Sequence, residues 1–310
     1  MDVLLILFLA LAIDLALGEP PRAIHPVVWM GKVASLLERA GAGQHPLAQF
    51  VYGSGIAVVT IGLFTAPAYF LLLYLNSLSL VAYVIVGALL LKFTFSMKEL
   101  RGAALRVKRL LVKEKLDEAH RELRSLVSRN TQGLPKPLVV SATVESVAEN
   151  TCDSFVAPLF YFLFFGVPGA IAYRVVNTLD AMVGYHGEYE YLGKFTSRLD
   201  DMLNFIPARL TALLLVLATF LSRRDAPASW QVALNDHANT ESPNAGWTMA
   251  AMAGGLGVQL EKIAHYRLGE AHAPLVPETI DAALKLMLLS MLSWVLICFL
   301  VGVIRFVVAS

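Results

Sequence analysis

The sequence predicts an all-α, polytopic integral membrane bundle with an amphipathic helical insertion on its cytoplasmic side. Three observations carry that expectation. Apolar residues make up 57% of the 310-residue chain and charged residues only 16%, with a mean hydropathy of +0.63, outside the range of soluble domains. Four apolar runs, at 50–75, 78–96, 205–221 and 284–308, are each long enough to cross a bilayer. The most polar stretch, 97–154, carries eleven Lys and Arg, which the positive-inside rule places in the cytoplasm.

Taken in order, the N-terminal run carries Asp14 and is short for a full span, so it is expected as a retained helix within the bundle. The spans 50–75 and 78–96 are separated only by Asn76–Ser77 and should form an antiparallel hairpin. Segment 97–140 reads as two amphipathic helices. One buries Leu100, Ala104, Val107 and Leu111; the other buries Leu116, Ala119, Leu123 and Leu126. Gly133-Leu-Pro-Lys-Pro137 ends the pair as a turn. The run 155–173 is interrupted by Pro158, Gly166, Pro168 and Gly169, which leaves a kinked span or a re-entrant element both open. The whole chain, 1–310, is read as one membrane-embedded domain containing the 97–140 insertion. Net charge is +1, so no global field points to nucleic acid. The two cysteines have no CxxC or Cys/His neighbours, which argues against a zinc site or a disulfide framework.

Ionisable groups beside membrane helices are expensive and tend to mark function. Glu145, Glu149 and Asp153 recur every four residues, one face of a helix. Such a face suits a hard divalent cation such as Mg²⁺ shared with phosphates, and Asn150 sits between the acids; a solvated helix face is the plain alternative. Asp180 follows Asn177, and Asp200–Asp201 precede another apolar run. Helix capping would explain some of these acids, but not both members of the Asp200–Asp201 pair. Arg174 and Arg209 suit phosphate or carboxylate, or serve as interfacial anchors. Arg22 and His25 stand on a Pro-stiffened turn, although a lone His is more often structural. Ser242 and Asn244 open a small-residue helix as caps or ligand contacts. Walker-type and Rossmann-type glycine loops are absent from the sequence.

GEPPRAIHPVVWMGK (18–32), ESVAENTCDSFVAPLFY (145–161), PGAIAYRVVNTLDAMVGY (168–185), DDMLNFIPARL (200–210) and SPNAGW with AMAGGLGV (242–247, 251–258) together closely resemble the adenosylcobinamide-phosphate synthases of cobalamin biosynthesis, the CobD/CbiB type. Arg129-Asn130-Thr131 departs from that pattern, an amide standing where the family usually shows Asp. The resemblance implies a multi-pass protein of the cell membrane that joins adenosylcobyric acid to 1-aminopropan-2-ol O-phosphate or ethanolamine phosphate, with ATP as energy source and Mg²⁺ as cofactor. It implies a corrinoid, an amino-alcohol phosphate and membrane lipid as partners, no nucleic acid, and a homo-oligomer as an open option. On that reading Glu145, Glu149, Asp180 and Asp200 are catalytic. Glu145, Glu149, Asp153 and Asp201 hold metal. Arg22, His25, Asn150, Arg174, Asn177, Arg209, Ser242 and Asn244 hold substrate or phosphate. The two acid groups are expected to converge on one cytoplasmic site. A transporter or channel, or a non-catalytic signalling relative of the same fold, are the competing readings.

Overall fold

The structure, a computed structural model, describes residues 2–21, 23, 25–38, 45–127, 130–183 and 190–309. It is 82% helical. Among the described residues, five helical runs are long and apolar enough to cross a membrane: Pro46–Leu78, Leu80–Val112, Lys136–Met182, Tyr191–Leu221 and Pro277–Val308. The polytopic helical bundle expected from the sequence is therefore what the chain forms. The chain packs as two compact units, each assembled from separated segments: 1–96, 157–203 and 298–310 form the first, and 97–156 and 204–297 the second.

In the first unit, α1 (Asp2–Leu17) lies against α4 (Leu80–Lys92), and α3 (Pro46–Leu78) packs on α4, on α2 (Pro26–Glu38) and on α8 (Ala157–Val183). The hairpin between α3 and α4 turns at Ser79, a few residues beyond Asn76. Ser79 serves both helices: its N–H closes α3 on Leu75 O, and its hydroxyl accepts from Ala82 N to open α4. α1 has only 16 residues, fewer than a bilayer demands, and it buries Asp14 on its packed side.

Helix α8 is broken where the glycines and prolines suggested. Gly166 adopts φ 67° and ψ −165°, a region open essentially to glycine alone. Pro168 follows and has no N–H to return to the preceding turn. The carbonyl of Leu163, in the turn before the break, accepts from the guanidinium of Arg305, on α12 (Pro277–Ala309), and that guanidinium also lies over the Phe164 ring, 5.6 Å from its centroid. Gly166→Ala should destabilise the protein by about 1–3 kcal/mol through backbone strain, because its Cβ itself meets nothing nearer than Pro168 Cδ at 3.7 Å. Thermal unfolding of the purified protein in detergent, compared with Gly62→Ala, where a Cβ meets nothing within 4 Å, checks this.

The second unit begins with the amphipathic pair. α5 (Met97–Val112) buries Leu100, Ala103, Ala104, Val107 and Leu111, the stripe expected from its periodicity. α6 (Leu116–Leu123) buries Ala119, His120 and Leu123. Leu116 and Leu126 are only partly covered. After the turn at Gly133 (φ +76°), α7 (Lys136–Thr151) starts with Pro137 in its first turn, where a missing N–H is harmless. α7 is buried continuously from Val139 to Ala148 and packs on α5, α6 and α11 (Ala245–Leu256). It runs into a π-turn, Cys152–Val156. α10 (Ala226–Asp236) packs on α11, and a two-stranded hairpin, β1 (Leu260–Lys262) with β2 (Tyr266–Leu268), seals the exposed side of α7.

Candidate functional site

The second unit holds a polar cavity of ≈ 230 Å³ built on α7. Glu145 and Glu149 enter it from α7, Glu241 and Ser242 from the turn before α11, and Lys262 and Tyr266 from the hairpin. Glu145 is only 5% exposed, so its carboxylate must find donors within the protein. One oxygen accepts from Ser141 Oγ at 2.7 Å, and the other from the Tyr266 hydroxyl at 2.9 Å. Ser141 in turn accepts from Glu261 N at 2.8 Å, which ties the hairpin to the helix that carries the acid. The wall and the carboxylate thus share one set of hydrogen bonds.

The other site residues of this unit are placed as follows. Asn150 donates to Ser146 O at 3.0 Å and accepts from Ser154 Oγ at 2.9 Å, so its amide is engaged along its own helix. Asp153 falls in the π-turn, and α7 contributes Glu145, Ser146 and Glu149 to the cavity. The hydroxyl of Ser242 accepts from Asn244 N at 3.2 Å and Ala245 N at 3.3 Å, which opens α11 as a cap while the residue lines the cavity. Arg209 donates to Phe205 O at 2.8 Å and to Asn244 Oδ1 at 3.1 Å. Its guanidinium lies 3.7 Å over the Phe205 ring and 5.1 Å over Trp247.

In the first unit Arg174, Asn177 and Asp200 form a chain: Arg174 donates to Asn177 Oδ1 at 3.5 Å, and Asn177 Nδ2 to Asp200 at 3.4 Å. This links α8 to α9 (Glu190–Leu221). Asp180 accepts from Ser197 and lies close enough to Asp201 for the two carboxylates to repel. The two acid groups therefore belong to different units. Arg22 lies outside the described residues.

His25 stands at the mouth of a second buried network in the first unit. Its Nε2 is 2.6 Å from Glu19, and its Nδ1 accepts from Val27 N at 3.2 Å, so one ring nitrogen is spent on opening α2. Glu19 also binds Lys92 at 2.7 Å, and Lys92 reaches Asp14 at 3.1 Å. Lys92 is 2% and Asp14 0% exposed. Burial alone would push the Glu19 carboxyl up, but hydrogen bonds from His25 and Lys92, with the Lys92 charge, bring it down to about 2.

Sequence reading did not single out Lys92, Ser141, Lys262 or Tyr266. Lys92 had a signal, as a lone cation inside an apolar run. The others sit in a helix and a hairpin with no spacing that relates them to Glu145; Tyr266 is 121 residues away.

Fold and sites together define a multi-pass membrane protein with acid-rich polar centres enclosed among its helices. The chain belongs to the CobD/Cbib protein family, whose model matches residues 7–287. It is 54% identical over 306 residues to the "Cobalamin biosynthesis protein CobD" of Dehalococcoides mccartyi, covering 99% of both chains. It is 41% identical to the "Probable cobalamin biosynthesis protein CobD" of Methanothermobacter thermautotrophicus, over 94% of this chain and 95% of that one. It is also 41% identical to the protein of the same name from Thermococcus kodakarensis, over 96% and 95%. No solved structure matches the chain.

Proposed function

We propose that this protein is an adenosylcobinamide-phosphate synthase of the cell membrane. It forms the amide bond between a propionate of adenosylcobyric acid and 1-aminopropan-2-ol O-phosphate or ethanolamine phosphate, driven by ATP. The observation that carries the reading is the family match across nearly the whole chain. The basic 97–140 segment faces the cytoplasm on this reading, the compartment that holds ATP.

The chemistry asks for three things. The corrin carboxylate takes the γ-phosphoryl group of ATP, giving an acyl phosphate and ADP. The amine nitrogen, freed of its ammonium proton by a positioned base, attacks the acyl carbon. The C–N bond forms, the C–O bond to phosphate breaks, and the second nitrogen proton leaves as phosphate departs. Arg174 in the first unit and Arg209 in the second are the guanidinium groups assigned to phosphate oxygens.

Mg²⁺ is proposed as the companion of the nucleotide. Among the described residues no group of three or more His, Cys, Asp or Glu is assembled as a metal cage. Mg²⁺ carried with phosphates asks for only one or two protein carboxylates, and Asp201 is the carboxylate assigned to it here. When bound, the ion neutralises phosphate charge and polarises the transferring phosphoryl group.

The purified protein in detergent, incubated with adenosylcobyric acid, aminopropanol phosphate, ATP and Mg²⁺, should yield the amide and ADP by mass spectrometry. Intact substrates after prolonged incubation would overturn the ligase reading.

A further inference from the structure

Helix α8 does more than bend at Gly166. Tyr161 and Tyr173 would stand about 18 Å apart along an unbroken helix, yet their rings stack with centroids 5.2 Å apart. A Cβ added at Gly169 would lie 2.9 Å from the carbonyl oxygen of Tyr161 and 2.5 Å from Phe165 Cβ. In a straight helix positions 161 and 169 would be separated by about 12 Å. The arm 167–183 therefore runs back beside the arm 157–165, and glycine at 169 lets the two backbones touch. The outbound arm, Ala157 to Gly166, rises only about 14 Å, half of the roughly 30 Å hydrocarbon core. At the fold Arg305 binds Leu163 O and lies over the Phe164 ring. The non-helical backbone is met by protein there, as it must be at membrane depth.

Helix α3 fixes the side to which the second arm returns. Its Gly53 packs on the backbone near the start of α9, where an added Cβ would fall 1.9 Å from Leu192 O. From Gly53 to the turn at Ser79 is about 39 Å of helix, more than the roughly 30 Å hydrocarbon core. The start of α9 thus stands at the opposite end of α3 from the α3–α4 turn. The end of α8 is placed alike. A Cβ added at Gly31 of α2 would meet Met182 Sδ at 3.0 Å, and Leu37 O, at the end of α2, accepts from the hydroxyl of Tyr52, next to Gly53. From Ser79, α4 leads back to the basic segment. Resting on the ligase reading above, which puts that segment in the cytoplasm, we infer that α8 is a re-entrant hairpin that enters and leaves the membrane on the cytoplasmic side. Its returning arm opens the Arg174–Asn177–Asp200 chain and Asp180 to the compartment of the soluble phosphate substrates. Ser197 and Asp200, the partners of Asp180 and Asn177 on α9, lie within about 12 Å of Leu192 along that helix. The run Lys136–Met182 is long enough to cross. A crossing would carry the start of α9 to the side of the Ser79 turn, where α3 does not allow it.

The test is thiol labelling of the full chain in its membrane. Both native cysteines are buried, so the wild type supplies the background. Lys194→Cys and Tyr191→Cys report the start of α9, Lys113→Cys the basic segment and Asn76→Cys the α3–α4 turn; all four positions are exposed. A membrane-impermeant maleimide is applied to spheroplasts and to inverted membrane vesicles. Lys194→Cys, Tyr191→Cys and Lys113→Cys should label at least 10-fold more in inverted vesicles, and Asn76→Cys at least 10-fold more in spheroplasts. Labelling of both α9 variants from the outside, or from neither side, would overturn the hairpin. Labelling of Asn76→Cys from the same side as Lys113→Cys would overturn it too. An amide product from a protein whose α9 variants label from the outside removes the hairpin and leaves the ligase. Labelling as expected, with no amide formed by the wild type, removes the ligase and leaves the hairpin.

Discussion

Replacing Lys92 with methionine is expected to destabilise the protein by about 3–5 kcal/mol, the range found when one partner of a buried ion pair is removed. Methionine retains most of the stem, so the loss reports the charge and not a cavity. Asp14, fully buried, and Glu19 would both lose the ammonium that now lies within 3.1 Å and 2.7 Å of them. The pH dependence identifies the cause. Glu19 has a folded pKa of about 2, below the ordinary 4.5. Its contribution to stability is therefore fully present above about pH 4.5 and is lost as the pH falls through 2. Without Lys92 that depression shrinks, so the deficit of the variant should be widest above pH 4.5 and narrow on acidification. Unfolding curves of both proteins in detergent across that range measure it. A deficit constant with pH would mean that packing, and not the ion network, is what Lys92 supplies.

Gly246→Ala is the second change of large expected effect. A Cβ there would sit 2.0 Å from the carbonyl oxygen of His237 and 2.6 Å from Thr240 Oγ1. The first is backbone and cannot rotate aside, so the opening turn of α11 must shift. The cost should reach about 3 kcal/mol, the upper end for overpacking. The shift also reaches function, because Ser242 and Ala245 in the same turn line the α7 cavity. Reduced thermal stability should therefore accompany a lowered rate of amide formation. Enzyme kinetics on the variant, read beside its melting curve, separate the two effects.

Much of the scaffold was legible because hydrophobic periodicity is local. The stripe Leu100, Ala104, Val107, Leu111 is written in consecutive turns of one helix and is buried as its spacing implies. The interruption of α8 was likewise announced by Gly166 and Pro168, whose backbone restrictions are intrinsic. The site was legible only in part. Four-residue spacing brought Glu145 and Glu149 to one cavity, but it assumed an α-helix throughout, and the π-turn at Cys152–Val156 changes the periodicity at Asp153. The hairpin 260–268 was missed because each strand has only three residues, too short for alternation to show. Tyr266 and Lys262 owe their place to that hairpin. Lys92 was passed over inside an apolar run because its partners, Asp14 and Glu19, lie more than seventy positions upstream.

The contact between Arg305 and α8 bears on how the protein is made. A guanidinium beside lipid needs an acceptor within the protein. Arg305 finds one in the Leu163 carbonyl, 142 residues upstream. During synthesis α8 is inserted long before that guanidinium leaves the ribosome. The first unit thus cannot reach its final hydrogen bonding until α12 has been translated and docked. Until then α8 lacks the Arg305 contact, so the nascent chain has an interval of vulnerability that ends only with α12. Quality control of this protein should accordingly be most sensitive to lesions in the 298–309 segment, far in sequence from the helix they leave unfinished.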